Sequence, residues 1–159
     1  MLDEKEVTWF PSYGAEVRGG TANCTVIISD ELIGSPVVRN PDMLIIMNDA
    51  SLKKFLPTIK QHGLLMYDSS LIKTPHLRSD IKCEGVPATE IANLIGNTKS
   101  ANMVLLGACI AKTGLFRKSH ALQAVENLLP ESKRNLIDHN KEAIIKGISY
   151  FENSKSKNI

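Results

Sequence analysis

Cysteine is scarce, and the three residues present, Cys24, Cys83 and Cys109, are scattered with no C-x-x-C pair and no Cys/His tract. That spacing excludes the common zinc and thiolate-cluster frameworks. With no secretory leader ahead of them, these cysteines predict a reducing, cytoplasmic chain that holds no metal of its own. Long apolar runs are also missing. The most apolar stretch, residues 103–111, is nine residues long and contains Gly107, against the roughly 20 residues that span a bilayer. No membrane segment is expected. Nor is there an excess of charge of one sign: 19 Lys and Arg face 17 Asp and Glu, a formal charge of +2. A nucleic-acid partner, which demands a basic patch, is not expected.

What the 159 residues do contain is 43% apolar side chains against 23% charged ones, enough to bury a real core in one ordinary domain. Residues 7–10 form a β-rich run closed by Pro11, and residues 24–29 form a denser one, with a loop between them. Residues 30–36 read as a turn or hairpin. The run 43–47, Met-Leu-Ile-Ile-Met, is apolar on both faces and suits a central strand covered by helices. Apolar residues at 52, 55, 56 and 59 predict a helix over 51–61, limited by Pro57 and stopped at His62-Gly63. Residues 64–67 and 81–86 read as further strands. From residue 88 onward the pattern is helical, over 88–95, 100–112, 119–128 and 131–151, with Ser100 and Ser119 as N-caps and Gly114 as a stop. The helix from residue 100 is apolar nearly all round, which predicts burial on several sides or at a subunit interface. The expectation is one α/β domain over residues 1–152 and a polar tail, 153–159.

The most unusual stretch is Tyr13-Gly14-Ala15-Glu16-Val17-Arg18-Gly19-Gly20-Thr21-Ala22-Asn23-Cys24, three glycines around one arginine just before an expected buried strand. Glycines permit close backbone approach, successive N–H groups can form an anion nest, and Arg18 adds a forked charge, so the loop could hold a phosphate or carboxylate. The alternative is a tight loop whose arginine pairs with Glu16 or another local carboxylate. Neither G-x-G-x-x-G nor G-x-x-x-x-G-K-[ST] is present. Asp68-Ser69-Ser70 and Asn48-Asp49 follow apolar runs, at the carboxyl ends of strands where α/β proteins meet ligands; they could bind a ligand there, or serve in capping and turn formation. His62, His76, His120 and His139 stand in no metal-ligand spacing. No self-contained catalytic pair or triad is visible.

The string Thr8-Trp9-Phe10-Pro11-Ser12-Tyr13-Gly14-Ala15-Glu16-Val17-Arg18-Gly19-Gly20-Thr21-Ala22-Asn23-Cys24 closely resembles the gamma subunits of 2-oxoacid:ferredoxin oxidoreductases. The similarity continues through Ile33-Gly34-Ser35-Pro36, Asn48 with Ser51-Leu52-Lys53-Lys54-Phe55, Pro87-Ala88-Thr89-Glu90-Ile91-Ala92 and Asn102-Met103-Val104-Leu105-Leu106-Gly107-Ala108. It covers residues 7–150. The resemblance implies a three-layer, Rossmann-like domain with a mainly parallel sheet and a helical C-terminal part. It implies a subunit of an enzyme that decarboxylates a 2-oxoacid on thiamine diphosphate, passes electrons singly through iron–sulfur clusters and captures the acyl group on coenzyme A.

By the same resemblance, thiamine diphosphate and the clusters belong to companion chains: thiamine-binding alpha and beta subunits and a ferredoxin-like delta subunit. The gamma chain alone binds no cofactor and sits on the coenzyme A side. Arg18, Gly19 and Gly20 would then hold a coenzyme A phosphate or an interface carboxylate, with Tyr13, Glu16 and Asn23 orienting the loop. Gly20-Thr21-Ala22-Asn23-Cys24 looks most like the 2-oxoglutarate enzymes, with pyruvate and branched-chain 2-oxoacids as alternatives, and a purely structural interaction subunit as the rival role. Two departures stand out. Ala15 and Val17 replace residues usual in the family's loop, and the glycine-rich G-x-G-G-Q-G segment usual ahead of the tryptophan is not in the sequence. Loss of that segment would expose a sheet edge or apolar surface, so self-association of the isolated chain is a further expectation.

Overall fold

The computed structural model describes residues 5–12, 21–73 and 77–156, the last three by backbone alone. Two sheets are present. Strands β1 (Glu6–Ser12) and β2 (Asn23–Ser29) pair antiparallel as a ribbon, in register from Glu6 opposite Ser29 to Ser12 opposite Asn23. Strands β3 (Met43–Ile46), β4 (Leu64–Asp68) and β5 (Lys82–Val86) form a parallel sheet in that order.

Helices cover both faces of the parallel sheet, which is why β3 and most of β4 are apolar on both faces rather than alternating. On one side α1 (Asp49–Phe55) and the 3-10 turn Leu56–Thr58 close a core of Ile46, Leu52, Ile59, Leu65 and Ile72. On the other, α2 (Ala88–Leu94), α3 (Ala101–Thr113) and α5 (Ile137–Ser156) close a second core around Met66, Val86, Val104 and Leu105. Helix α4 (Lys118–Leu128) packs outside, where Ala121 and Val125 meet Ile110, Ile144 and Ile148. The result is the three-layer α/β arrangement with a helical C-terminal part that the sequence implied. Leu65, Leu105 and Ile144 are wholly buried, each contributing about 1.5–3 kcal/mol by removal of its side chain from water.

The all-round apolarity of α3 has its counterpart in burial: the sheet, α2, α4 and α5 all lie against it. Its crossing with α5 is a backbone contact. A Cβ on Gly107 would stand 2.1 Å from the Ile144 carbonyl oxygen, and one on Gly147 would stand 2.0 Å from that of Val104. Two reciprocal glycines let the helices touch main chain to main chain. Gly114 ends α3 in the left-handed conformation, φ +64°, its N–H bonding to the Ile110 carbonyl at 2.9 Å, as the stop signal predicted.

Several expectations are corrected. The run 43–47 is not a central strand: β3 is an edge of the described sheet, Ile45 is 42% exposed, and β4 is the centre. Apolarity on both faces reports helices above and below the sheet, which an edge strand shares with its neighbours. Residues 7–10 and 24–29 are strands, but they build a separate ribbon rather than part of the parallel sheet, and the strand after the loop is not buried, because no residue of β2 is and Val26 and Ile28 are exposed. Ser100 stands at the start of α3 without capping it, and instead donates to Asn140 Oδ1 at 3.0 Å. Helix α4 begins at Lys118, which places Ser119 inside it, and residues 131–136 are 3-10 rather than the first turns of a long helix. Helix α5 runs on to Ser156, into the segment read as a tail.

Candidate functional site

Of the residues singled out in the glycine–arginine loop, Tyr13, Glu16, Arg18, Gly19 and Gly20 lie outside the described residues. Asn23 is described: it opens β2 opposite Ser12 and is half-buried. Pairing of Ser12 with Asn23 sets the two described ends of the stretch side by side. Its returning limb is tied down, because the Lys54 ammonium donates to Thr21 Oγ1 at 2.9 Å. The same ammonium stands 5.3 Å from the centre of the Phe55 ring, a cation–π geometry. Lys54 was not singled out from sequence as a site residue. Basic residues in the last turn of a helix are expected for its dipole alone, and only the tertiary contact separates Lys54 from Lys53 beside it.

The carboxyl ends of the parallel strands are occupied by capping. Asn48 Oδ1 accepts from Ser51 N at 2.8 Å and starts α1. Asp68 is fully buried at the end of β4. Its Oδ1 accepts from Ser70 N at 2.9 Å and Ala88 N at 3.1 Å, and its Oδ2 from Thr89 N at 3.1 Å and Thr89 Oγ1 at 2.6 Å. Ser70 Oγ accepts from Glu90 N at 3.0 Å. Asp68-Ser69-Ser70 is therefore the cap of α2, a helix twenty residues further along that starts at Ala88 and whose N-cap residue, Pro87, makes no side-chain cap. A carboxylate whose four acceptor positions are filled has none left for a substrate.

Two further polar groups are structural. Arg78 grips Asp80 with Nε at 2.9 Å and Nη2 at 2.6 Å, and donates from Nη1 to the Ile59 carbonyl at 2.9 Å. That hydrogen-bonded guanidinium holds the Asp80 carboxyl below the usual carboxylate range. Lys112 of α3 pairs with Glu84 of β5 and lies 5.3 Å from the Phe151 ring, tying sheet, α3 and α5 together. The cysteines sit on three elements. Cys24 is exposed on β2, while burial pushes the Cys83 and Cys109 thiols up. Among the described residues no three His, Cys, Asp or Glu side chains gather as a metal site, and no helix is long and apolar enough to cross a membrane. Of the histidines, His76 lies outside the described residues.

The sequence profile of the pyruvate ferredoxin/flavodoxin oxidoreductase family matches residues 1–150. Among curated relatives, the ketoisovalerate oxidoreductase subunit VorA of Methanothermobacter thermautotrophicus is 40% identical over 72% of this chain but only 24% of its own length. The 2-oxoglutarate synthase subunit KorC of Methanocaldococcus jannaschii is 32% identical over 89% of this chain and 78% of its own. This chain thus spans about a quarter of the ketoisovalerate subunit and most of the 2-oxoglutarate one. Among solved structures, the gamma subunit of a keto/oxoacid ferredoxin oxidoreductase from Geobacter sulfurreducens matches 98% of this chain and 83% of its own, with TM-score 0.76 and 30% identity. The 2-oxoglutarate:ferredoxin oxidoreductase of Magnetococcus marinus shares the fold at TM-score 0.82 and 21% identity, over 93% of this chain and 26% of that one. A profile match running from the ribbon through α5, together with a gamma-subunit structure superposing on almost the whole chain, makes this protein a member of the pyruvate ferredoxin/flavodoxin oxidoreductase family.

Proposed function

We propose that this chain is the gamma subunit of a multisubunit 2-oxoacid:ferredoxin oxidoreductase, converting a 2-oxoacid and coenzyme A to acyl-CoA and carbon dioxide with reduction of an iron–sulfur acceptor. Residues 1–152 act as one gamma-type domain in this reading. The observation that carries it is the likeness to a gamma subunit over 98% of the chain at 30% identity. In the working complex thiamine diphosphate supplies carbanion-stabilising chemistry, iron–sulfur clusters supply one-electron transfer and coenzyme A supplies the acyl acceptor. The donor set of this chain does not fit a cluster, its cysteines lying on β2, β5 and α3. The reading therefore assigns clusters and thiamine diphosphate to alpha, beta and ferredoxin-like delta companions.

The contribution of this chain is the loop between β1 and β2. Arg18 binds a coenzyme A phosphate through its planar fork, Gly19 and Gly20 let the anion approach the backbone, and Tyr13, Glu16 and Asn23 orient the loop. Support comes from Lys54, whose ammonium sits on the returning limb at Thr21 and adds positive charge beside it. Arg18→Ala is expected to raise the KM for coenzyme A in the reconstituted enzyme about tenfold or more, the loss of one charge-assisted contact of about 1.5–3 kcal/mol. An unchanged KM in a normally assembled enzyme refutes ligand binding. Weaker assembly with an unaltered KM in the surviving complex points instead to a purely structural subunit.

The substrate we infer is 2-oxoglutarate. KorC of Methanocaldococcus jannaschii corresponds to this chain over 89% of this chain and 78% of its own, at 32% identity. A branched-chain 2-oxoacid is the second reading, favoured by the 40% identity to VorA. The ratio of kcat/KM for 2-oxoglutarate, pyruvate and 2-oxoisovalerate in the complex decides between them.

A further inference from the structure

The β1–β2 ribbon and the layered body are joined by little besides the chain itself. Among the described residues its strands pair only with each other, none of their side chains is fully buried, and none of the three cores takes a member from them. The chain leaves the ribbon through residues 30–39, which are neither helix nor strand and bury no side chain. Leu32 there is 90% exposed, and a Cβ on Gly34 would meet nothing within 4 Å. Hydrogen bonds in this tether are local, from Glu31 N to Ser29 Oγ at 3.0 Å and from Val37 N to Ser35 Oγ at 3.2 Å. The body takes hold only at Asn40, whose Nδ2 donates to the Thr58 carbonyl at 2.9 Å, and at Pro41, whose carbonyl accepts from Lys60 N at 3.1 Å.

Among the described residues a single hydrogen bond crosses from this unit to the body, from Lys54 Nζ of α1 to Thr21 Oγ1 at 2.9 Å, beside the start of β2. The lysine end is anchored: its ammonium stands 5.3 Å from the Phe55 ring, and Phe55 packs against the core of Ile46, Leu52 and Ile59. The other end belongs to a unit with its own cohesion. Register holds from Glu6 opposite Ser29 to Ser12 opposite Asn23, and Lys5 pairs with Asp30 across the open end of the ribbon. An exposed polar contact of this class shifts an equilibrium by only about fivefold, about 1 kcal/mol. Reorienting residues 30–39 breaks no buried contact, so a bond of that strength leaves both an attached and a detached position populated.

We infer that the ribbon is an arm that swings as a unit about residues 30–39, and that Lys54 is its latch: bonded to Thr21 it holds the arm on α1, and unbonded it lets the arm go. Residues 13–22 leave the ribbon at Ser12 and return at Asn23, so the latch sets where both ends of that stretch stand relative to the body. Lys54 is thus a positioning residue, acting through Thr21. The motion stands whether or not the stretch binds coenzyme A.

The test is the distance between two spin labels on the full-length protein, one on the exposed Cys24 of β2 and one on Lys146→Cys, an exposed position of α5, with Cys83 and Cys109 replaced by alanine. Pulsed electron–electron double resonance should show two populations. Lys54→Met, which keeps the apolar stem, should raise the detached-to-attached ratio about fivefold. Thr21→Val should do the same, the two substitutions together should do no more than either alone, and Lys54→Arg should restore the wild-type ratio. A single distance that neither Lys54→Met nor Thr21→Val alters overturns the inference, and so does a shift in only one of these two variants. Amide hydrogen exchange separates swinging from fraying: rates in Glu6–Ser12 and Asn23–Ser29 should be equal in wild type and Lys54→Met, and faster exchange in the variant overturns motion as a unit. An Arg18→Ala enzyme with an unchanged KM for coenzyme A refutes the ligand reading alone and leaves the arm standing.

Discussion

Substitution of Gly147 by alanine tests the packing that holds the helical layer to the sheet. In a helix interior, exchange of glycine for alanine normally stabilises by about 0.8–1 kcal/mol, because it reduces the freedom of the unfolded chain and adds helix propensity. Here the added methyl would meet the Val104 carbonyl oxygen at 2.0 Å, its carbon at 2.9 Å and the Ala108 nitrogen at 3.0 Å. All three are backbone, so no rotamer change relieves them, and α5 must move away from α3 by about 1 Å or more. A radial gap of that size forfeits roughly a quarter to a half of each dispersion contact along the crossing, and overpacking of this kind costs about 1–3 kcal/mol or more. Three backbone contacts put the cost at the upper end of that range, about 3 kcal/mol, and subtracting the propensity gain of about 1 kcal/mol leaves a net loss of about 2 kcal/mol, or about 4–8 °C in Tm for a domain of this size. Thermal and urea unfolding by circular dichroism measures it. Gly34→Ala, where nothing lies within 4 Å of the added Cβ, serves as the control and should leave Tm within a degree or so. A Gly147→Ala protein as stable as wild type, or more stable, would show that the helices do not touch through their backbones.

The remaining predictions concern polar groups. Asp68→Asn replaces a buried acceptor of four hydrogen bonds with a group that turns an NH₂ toward N–H donors. The loss should be about 2–4 kcal/mol in urea unfolding, and a variant of wild-type stability would remove Asp68 as the cap of α2. For Asp80 the carboxyl is depressed by the Arg78 hydrogen bond. A depressed acid contributes stability that is present above its unfolded pKa and is lost as pH falls through the lower folded value. The Tm advantage of wild type over Asp80→Asn should therefore be full at neutral pH and vanish in acid below the ordinary carboxylate range; an advantage independent of pH would refute the pair. Because burial raises the Cys83 and Cys109 thiols, both should react slowly with Ellman's reagent at neutral pH. Cys24 should react first in the free chain, and simultaneous reaction of all three would mean that α3 and β5 are open to solvent.

How far the functional reading was legible depended on the kind of signal. The R-G-G-T-A-N-C string carried the family by itself, since residue identities at fixed spacing survive without knowledge of the fold. The loop's setting was not legible. Nothing in the sequence pairs Ser12 with Asn23, because a ribbon's register is settled by contacts between strands far apart in the chain. Lys54 likewise meets Thr21 across 33 positions, a distance that no local pattern encodes. Asp68 was rightly read as a capping residue, but the helix it caps starts twenty residues later, after β5 has returned the chain to the same end of the sheet.

The sequence by itself determined the local elements with short-range causes. Asn48 starts a helix by bonding a backbone N–H three residues on, Pro57 ends it, and Gly114 stops α3 because glycine tolerates a positive φ. It also determined the layering, since the apolar runs 43–46 and 64–67 require cover above and below. Only the tertiary structure decided which strand is central. Both runs look alike as sequence, and hydrogen-bond neighbours, not side-chain polarity, separate the buried β4 from the edge β3. Tertiary structure alone also gave Gly107 and Gly147 their shared role. A glycine in a helical pattern reads locally as a small cost in entropy, and its purpose emerges when a second backbone is found where its side chain would have been.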